Sequence, residues 1–420
     1  YPMSSFDELL NQYAKLIIHV GLNLRQGQRL VINNASTRGV PLHAAPLVRA
    51  VAREAYQAGA RYVDVLWNDE ELIRTRVQYA PEGTFGEYSD SHVSALLDVM
   101  DKGDAMLTIR SNNPDLLSDL DPERVGAMQK THLEKFAPVS LGVTGNRINW
   151  LVVAASSPDW AVKVFPDLPR DQAYDKLWDA IFQITRSDRP DPVAAWEEHV
   201  QNLLKHAHYL TAKKYSALHY KAPGTDLTVG LPRGHRWISA REHAQNGIEF
   251  IANLPTEEVF TLPHRDQVDG VVSASIPLSY SGTLLEDFSL TFEKGRVTKV
   301  SARKGEATLK KLVETDEGAS RLGEVALVPF TSPISQRGHL FYDPLIDENA
   351  SCHLAVGRAY RINLDGAQDI TDEEFMQRGG NVSLTHVDFM IGSNQMDIDG
   401  IKEDGSREPV MRAGEWAFDA

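Results

Sequence analysis

QRLVINNA (28–35), PLHAAPLVRAVAREAYQAGA (41–60) and RYVDVLW (61–67) together decide the fold. A short β-rich segment is followed by a long one whose apolar residues recur at helical spacing, then by a second β-rich segment. Gly59 marks the end of the helix, because glycine enters the left-handed conformation that terminates one. Two strands separated by a helix of this length are expected to run parallel in one sheet. The pattern continues downstream. HVSALLDVMDKG (92–103) reads as a helix, DAMLTIRS (104–111) as a strand, Met128 to Phe136 as helical, and INWLVVAA (148–155) as a buried strand. Upstream, SSFDELLNQYAKLIIHVGLNL reads as an amphipathic helix with Ser5 as its N-cap. The alternation predicts an α/β N-terminal domain with a mostly parallel sheet. No G-x-G-x-x-G or G-x-x-x-x-G-K-[ST] follows any of these strands, so a nucleotide is not the expected ligand.

Two helical segments then form a bridge, RDQAYDKLWDAIFQITR and PVAAWEEHVQNLLKHAHYL, with the breaker SDRPDP between them. Beyond it the chain turns strand-rich, with TDLTVGLP, FSLTFEKGRVTKVSARKG turning at Lys294-Gly295, EVALVPF and NVSLTHVDFMIG. The expected division is residues 1–215, the α/β domain with its helical bridge, and 216–420, a β-rich α+β catalytic domain that binds metal. The crossing falls between Ala207 and Gly234.

Composition narrows the function. The 420 residues carry a formal charge of −15, and no block of basic residues interrupts the acidity. Nucleic acid and anionic membrane surfaces are therefore not the expected partners. The single cysteine, Cys352, allows no intrachain disulfide and fits a reducing cytoplasm. The N-terminus shows no signal pattern, and Tyr1-Pro2 ahead of Met3 reads as a cloning remnant.

Chemistry gathers in the second half. NLPTEEVFTLP (253–263) sets Glu257 and Glu258 side by side between prolines, in a segment expected to be extended. Their side chains then point to opposite sides, and one taken out of water needs a counter-charge. In LTHVDFMIG, His386 and Asp388 share one face of a strand and suit a divalent cation. DPLIDENASCHLAVGRAYRINL clusters Asp347, Glu348 and His353 beside an Ala-rich stretch that reads as a short helix. On such a helix Tyr360 falls two turns after His353, on the same face, where a phenol can serve an oxyanion. Glu324 opens EVALVPF, where a strand end would expose its carboxylate. Cys352 reads as a small buried hydrophobe, and the H-A-H of 206–208 is a poor metal pair on a helix. Neither H-E-x-x-H nor G-x-S-x-G occurs. Three Glu, two His and an Asp are too many ligands for one tetrahedral ion and suit two divalent ions sharing a carboxylate.

Taken together, NLPTEEVFTLP, RLGEVALVPF, LIDENASCHLAVGRAY and SLTHVDFMIG, in this order, resemble the thermophilic aminopeptidase T family of metallo-aminopeptidases, a likeness that runs from FDELLNQYAKLIIHVGLNLRQGQRLVI to the end of the chain. The resemblance implies that Glu258 ligates one metal and that Glu324 is shared by both. It makes Glu348, His353, His386 and Asp388 further ligands, and Tyr360 the active-site tyrosine. It also implies a homodimer with enclosed active sites, acting on short peptides with a free N-terminus through two divalent ions (zinc, cobalt, manganese or magnesium). By analogy with other dinuclear aminopeptidases, Glu257 becomes the candidate general base, against a simple salt-bridged role. Two rivals stand beside this reading. One is a ring-cleaving, non-haem iron dioxygenase of related fold, with a smaller ligand set. The other is a non-enzymatic peptide-binding protein.

Overall fold

The computed structural model describes residues 5–35, 37–280 and 283–420; Tyr1-Pro2 lies outside them. Phe6–Lys15 is an α-helix, and the Ser5 hydroxyl accepts from the Glu8 amide at 3.3 Å as its N-cap. The main sheet of the first unit has five strands: β1 (Arg29–Asn33), β2 (Tyr62–Val65), β3 (Ala105–Arg110), β4 (Trp150–Ala154) and β5 (Asn253–Leu254). Every neighbouring pair is parallel, in the order β2-β1-β3-β4-β5. This is a doubly wound sheet whose strand order reverses at β1. The helices Asp90–Asp101 and Pro122–Thr144 pack on it. Val93, Leu96 and Met100 recur at helical spacing and meet Val31, Met106, Val139 and Ile148 in one apolar cluster.

Two features of this part of the fold depart from the sequence pattern. A helix, Glu70–Tyr79, follows β2, with Asp69 accepting from the Glu71 amide at 3.1 Å as its cap. Among its residues only Val77 is fully buried, so it shows almost no apolar periodicity. The second feature concerns the division of the chain. The first unit runs to Glu198 and takes up Arg241–Pro255; the second comprises His199–Ala240 and Thr256–Ala420. The chain therefore passes between units at 198/199, 240/241 and 255/256, rather than once at 215/216. β5 is the reason, because Asn253 pairs with Val152 in β4 and so returns a late segment to the first sheet.

The second unit holds a nine-stranded antiparallel sheet, which includes the hairpin Thr283–Glu293 and Arg296–Lys304 with its turn at Lys294-Gly295. It also holds a smaller antiparallel sheet of four strands, β6 (Val259–Thr261), β7 (Leu322–Leu327), β8 (His353–Gly357) and β9 (His386–Met390), in that spatial order. β8 corrects the short helix expected after Cys352. All its residues are buried, so its sequence is a continuous apolar run that periodicity alone cannot tell from a helix. β7 is likewise buried throughout, and Glu324 sits inside it at 5% exposure rather than at an open strand end. No helix among the described residues is long and apolar enough to cross a membrane.

Candidate metal centre

The register of the small sheet assembles the site. Ala326 pairs with His353, Glu324 with Ala355, Ala355 with Asp388, and Gly357 with His386. Paired residues share a face, so Glu324, His353, His386 and Asp388 all project from one side. Ala326, Ala355 and Gly357 lie among them and leave the space above the sheet open. The opposite face carries Val325, Leu327, Leu354, Val356 and Phe389, and Phe389 meets Phe288 at 5.8 Å between ring centroids. Burial of that face anchors the sheet at roughly 1.5–3 kcal/mol per large side chain.

Two glycines make the register possible. A bulge separates Leu322 from Glu324, and a Cβ on Gly323 there would collide with the carbonyls of Gly357 and Arg358. Gly357, at φ +107°, would strike the Thr385 carbonyl if it carried one.

The ligand atoms converge around Glu324. Its Oε1 lies 3.4 Å from His353 Nε2, and its Oε2 lies 3.6 Å from His386 Nε2. Glu258 Oε2 is 3.0 Å from His353 Nε2, and Asp388 Oδ1 is 3.4 Å from His386 Nε2. Two triads result, Glu258–Glu324–His353 and Glu324–His386–Asp388, each with its ligand atoms within 4.8 Å of one another. Glu258 Oε2, His353 Nε2 and Asp388 Oδ1 are buried and make no hydrogen bond. Buried polar atoms without partners are costly, and a divalent ion supplies the partner each lacks. The residues fit such ions.

The backbone fixes the histidines. His353 Nδ1 lies 3.1 Å from the Ser351 carbonyl, and His386 Nδ1 lies 2.7 Å from the Arg358 carbonyl. With Nδ1 donating to a carbonyl, the neutral ring presents a bare Nε2 to the site. Electrostatics agree with a cation-seeking centre. Burial pushes the Glu324 carboxyl up to about 7, with Asp388 and Glu258 adding to the effect. Burial raises Glu348 well above its usual range, again with Asp388 and Glu258. Against the effect of burial, the neighbouring carboxylates hold His353 well above the usual imidazole range and bring His386 to about 9.

Glu348 belongs to neither triad; it stands in a crevice wall together with Asp388. It begins a 3-10 turn, Glu348–Ala350, after a helix Pro344–Asp347 that Asp343 caps. Asp347 does not serve the helix dipole: its carboxylate accepts from the amides of Phe341 at 2.7 Å and Asp343 at 3.1 Å. Tyr360 packs on the His386 ring at 4.7 Å and edge-on to Phe260 at 6.5 Å. Burial, followed by the charges of Glu324 and Asp388, raises its phenol well above the usual value, so it stays protonated and can donate. Cys352 is buried, its thiol donating to the Val328 carbonyl at 3.3 Å.

Glu257 and Glu258 do diverge. Glu258 faces His353, whereas Glu257 faces His199, with Oε2 and Nε2 3.5 Å apart. Three supports escaped the sequence reading. His199 Nε2 also lies 2.8 Å from the Thr256 carbonyl; Ser239 donates to the Glu258 carbonyl at 2.5 Å; Asn349 accepts from the Glu257 amide at 2.7 Å. Each is distant in sequence from what it holds, and only Asn349, within DENAS, lies in a motif singled out from the sequence.

Comparison with known proteins gives one answer. The family described as thermophilic metalloprotease (M29) matches residues 6–416. The chain is 46% identical over 417 residues to aminopeptidase 2 of Geobacillus stearothermophilus, covering 99% of this chain and 100% of that one. It is 47% identical over 416 residues to aminopeptidase AmpS of Bacillus subtilis, with the same coverage. The solved structure of AmpT from Thermus thermophilus superposes with a TM-score of 0.92 at 44% identity, covering 99% of this chain and 100% of that one. A 2,5-dihydroxypyridine dioxygenase from Pseudomonas putida reaches a TM-score of 0.50 at 12% identity over 98% and 97% of the two chains, a likeness of fold alone.

Proposed function

This chain belongs to the thermophilic metalloprotease (M29) family and is a metal-dependent aminopeptidase; on that premise we propose that it removes N-terminal residues from short peptides with a pair of divalent cations. The observation that carries the proposal is the sharing of Glu324, whose two oxygens face different histidines. Glu258 and His353 would hold one cation, and His386 and Asp388 the other, with Glu324 common to both and Glu348 completing the set. Zinc, cobalt, manganese and magnesium all suit such ligands. When bound, the cations supply Lewis acidity toward the scissile carbonyl and bring the pKa of water toward neutrality.

The remaining work falls to the chain. The protonated Tyr360 phenol donates to the carbonyl oxygen as negative charge develops there. Glu257 is the candidate acceptor for the proton of the attacking water, although in this structure its carboxylate turns to His199 Nε2, 3.5 Å away, rather than to the triads. Asn349 and Ser239 hold the backbone on either side of Glu258, so the two glutamates keep their separate directions. The carboxylate-rich rim attracts the protonated N-terminus and thereby favours cleavage from that end. We further propose a homodimer in the cytoplasm. The absence of any intrachain disulfide partner for Cys352 supports that setting, and light scattering checks the dimer.

The test is to strip the protein with a chelator and to assay leucine p-nitroanilide hydrolysis while zinc, cobalt or manganese is returned and bound metal is counted. Activity that returns with up to two ions per chain is expected. Oxygen uptake with ferrous iron and a dihydroxypyridine would favour the dioxygenase reading instead, and silence in both assays a binding protein. Glu257→Gln separates the base from a structural salt bridge: as a base it loses turnover with metal content intact.

A further inference from the structure

At the carboxyl edge of the parallel sheet, the loop after β1 meets the start of the helix Asp90–Asp101, beside the point where the strand order reverses. Open sheets of this kind take their ligands at that edge. Arg38, in the loop, lays its guanidinium on the Tyr88 ring, 4.4 Å from the ring centroid. Tyr88 is held in turn: its hydroxyl lies 3.2 Å from His132 Nδ1, and the His132 ring stacks on Phe136 at 5.2 Å. Tyr88 and Phe136 both pack on the apolar cluster around Leu96 and Met100. His92, in the first turn of the helix, is 9% exposed, with its ring 6.3 Å from that of Phe136. We infer that Arg38, His92 and the first amides of this helix form a binding site for a small oxyanion, a phosphate or carboxylate group, separate from the metal centre.

Three observations support it. First, Arg38 Nε and His92 Nε2 are buried and have no hydrogen-bond partner among the described residues. Buried donors without acceptors are costly, and an oxyanion offers acceptors alone. Burial, with the nearby Arg38 and His132, brings the His92 imidazole down to about 4, so at neutral pH it is uncharged and serves as a donor. Second, no carboxylate among the described residues pairs with Arg38, whereas Arg29 and Arg61 both reach Asp104. A guanidinium laid flat on an aromatic ring is already oriented and loses little freedom when it grips an anion. Third, the helix start has no side-chain cap: Ser89 is the N-cap residue, yet its hydroxyl turns to that of Ser91, 2.8 Å away. The first amides and the positive end of the helix dipole are therefore left to a ligand. Asp90, in the same turn, is exposed, so water screens its charge. Arg38, Tyr88 and His132 are half-buried, which leaves the cluster open to solvent on one side.

The experiment titrates the full chain with inorganic phosphate and, separately, with N-acetylglycine, by isothermal calorimetry with metal bound and again in chelator. Arg38→Gly and His92→Leu are measured alongside. Glycine suits the left-handed backbone of residue 38, at φ +60°, so the loop keeps its path in that variant. The wild type is expected to bind at least one of the two anions at millimolar concentration, with and without metal. Tighter phosphate binding identifies free phosphate as the ligand, and tighter acetylglycine binding the terminal carboxylate of a peptide. Each variant should weaken binding on the order of tenfold or more, the usual loss of a hydrogen bond to a charged group. Leucine p-nitroanilide hydrolysis without added anion should be unchanged in both. Binding that disappears in chelator would place the anion on the metals and overturn the site. Affinity within twofold of wild type in both variants would overturn it as well, and so would a wild type that binds neither anion.

Discussion

Glu324→Gln is the sharpest test, because the structure predicts opposite consequences with and without metal. In the first triad Glu324 stands within 4.8 Å of Glu258, and in the second within 4.8 Å of Asp388. Two unit charges about 5 Å apart at an effective dielectric of about 20 repel by roughly 3 kcal/mol. Two such pairs lose their repulsion when the charge is removed, and the raised affinity of His353 and His386 for protons offsets part of that gain. In chelator the variant should therefore unfold at or slightly above the wild-type temperature. With metal the sign reverses. Glu258, Glu324, Glu348 and Asp388 supply four negative charges against the four positive charges of two dications. The variant leaves one positive charge uncompensated and takes a shared ligand oxygen away. A loss of roughly 3 kcal/mol is over a hundredfold in affinity, since about 1.4 kcal/mol is a factor of ten. Metal at about a hundred times its Kd stabilises the wild type by about 2.7 kcal/mol, and the variant should forgo most of that. The assay is differential scanning calorimetry in chelator and in metal, with metal counting and kcat/KM on leucine p-nitroanilide. A variant that keeps both metals and wild-type rates would refute the shared-carboxylate reasoning. A large fall in Tm in chelator would show that Glu324 is a structural group.

Other outcomes follow from the same geometry. Tyr360→Phe should lower kcat by about 10²–10³, the usual loss of one oxyanion donor, with metal content unchanged by elemental analysis. Ala355→Val places a branched side chain between Glu324 and Asp388 and should reduce metal binding without removing a ligand; isothermal titration reads the loss. Glu408 is held down to about 2 by hydrogen bonds from Lys213, at 2.8 Å, and from Lys402 and Tyr215. Because the folded pKa is depressed, its contribution is present above the usual glutamate range and is lost as pH falls through that range toward about 2. The Tm difference between wild type and Glu408→Gln should accordingly shrink between pH 6 and pH 2; a difference independent of pH would rule this out.

What the sequence disclosed follows the range of the signals. β1, β3 and β4 are short apolar runs flanked by helical periodicity, and local pattern suffices to see them. The His386/Asp388 pair is readable from strand parity alone. Glu324 is different: its partners are 29 and 62 positions away, at His353 and His386, and only the family resemblance joined them. His353 was placed on a helix because Leu354, Ala355 and Val356 are apolar without alternation. In a strand buried on both faces, packing decides the backbone rather than pattern. β5 and the contact of His199 with Glu257 depend on chain returns that no local window contains.

The anchoring of the two imidazoles has an evolutionary consequence. Ser351 and Arg358 orient His353 and His386 through main-chain oxygens rather than side chains. Any amino acid at those two positions offers the same acceptor as long as the backbone holds its path. Ligand orientation thus does not depend on the chemistry of the side chains at 351 and 358, although Ser351 is itself buried and has little room to grow. The vulnerable positions move to the residues that set the path, Gly323 and Gly357, where a single added methyl group would misaim the histidines without touching them.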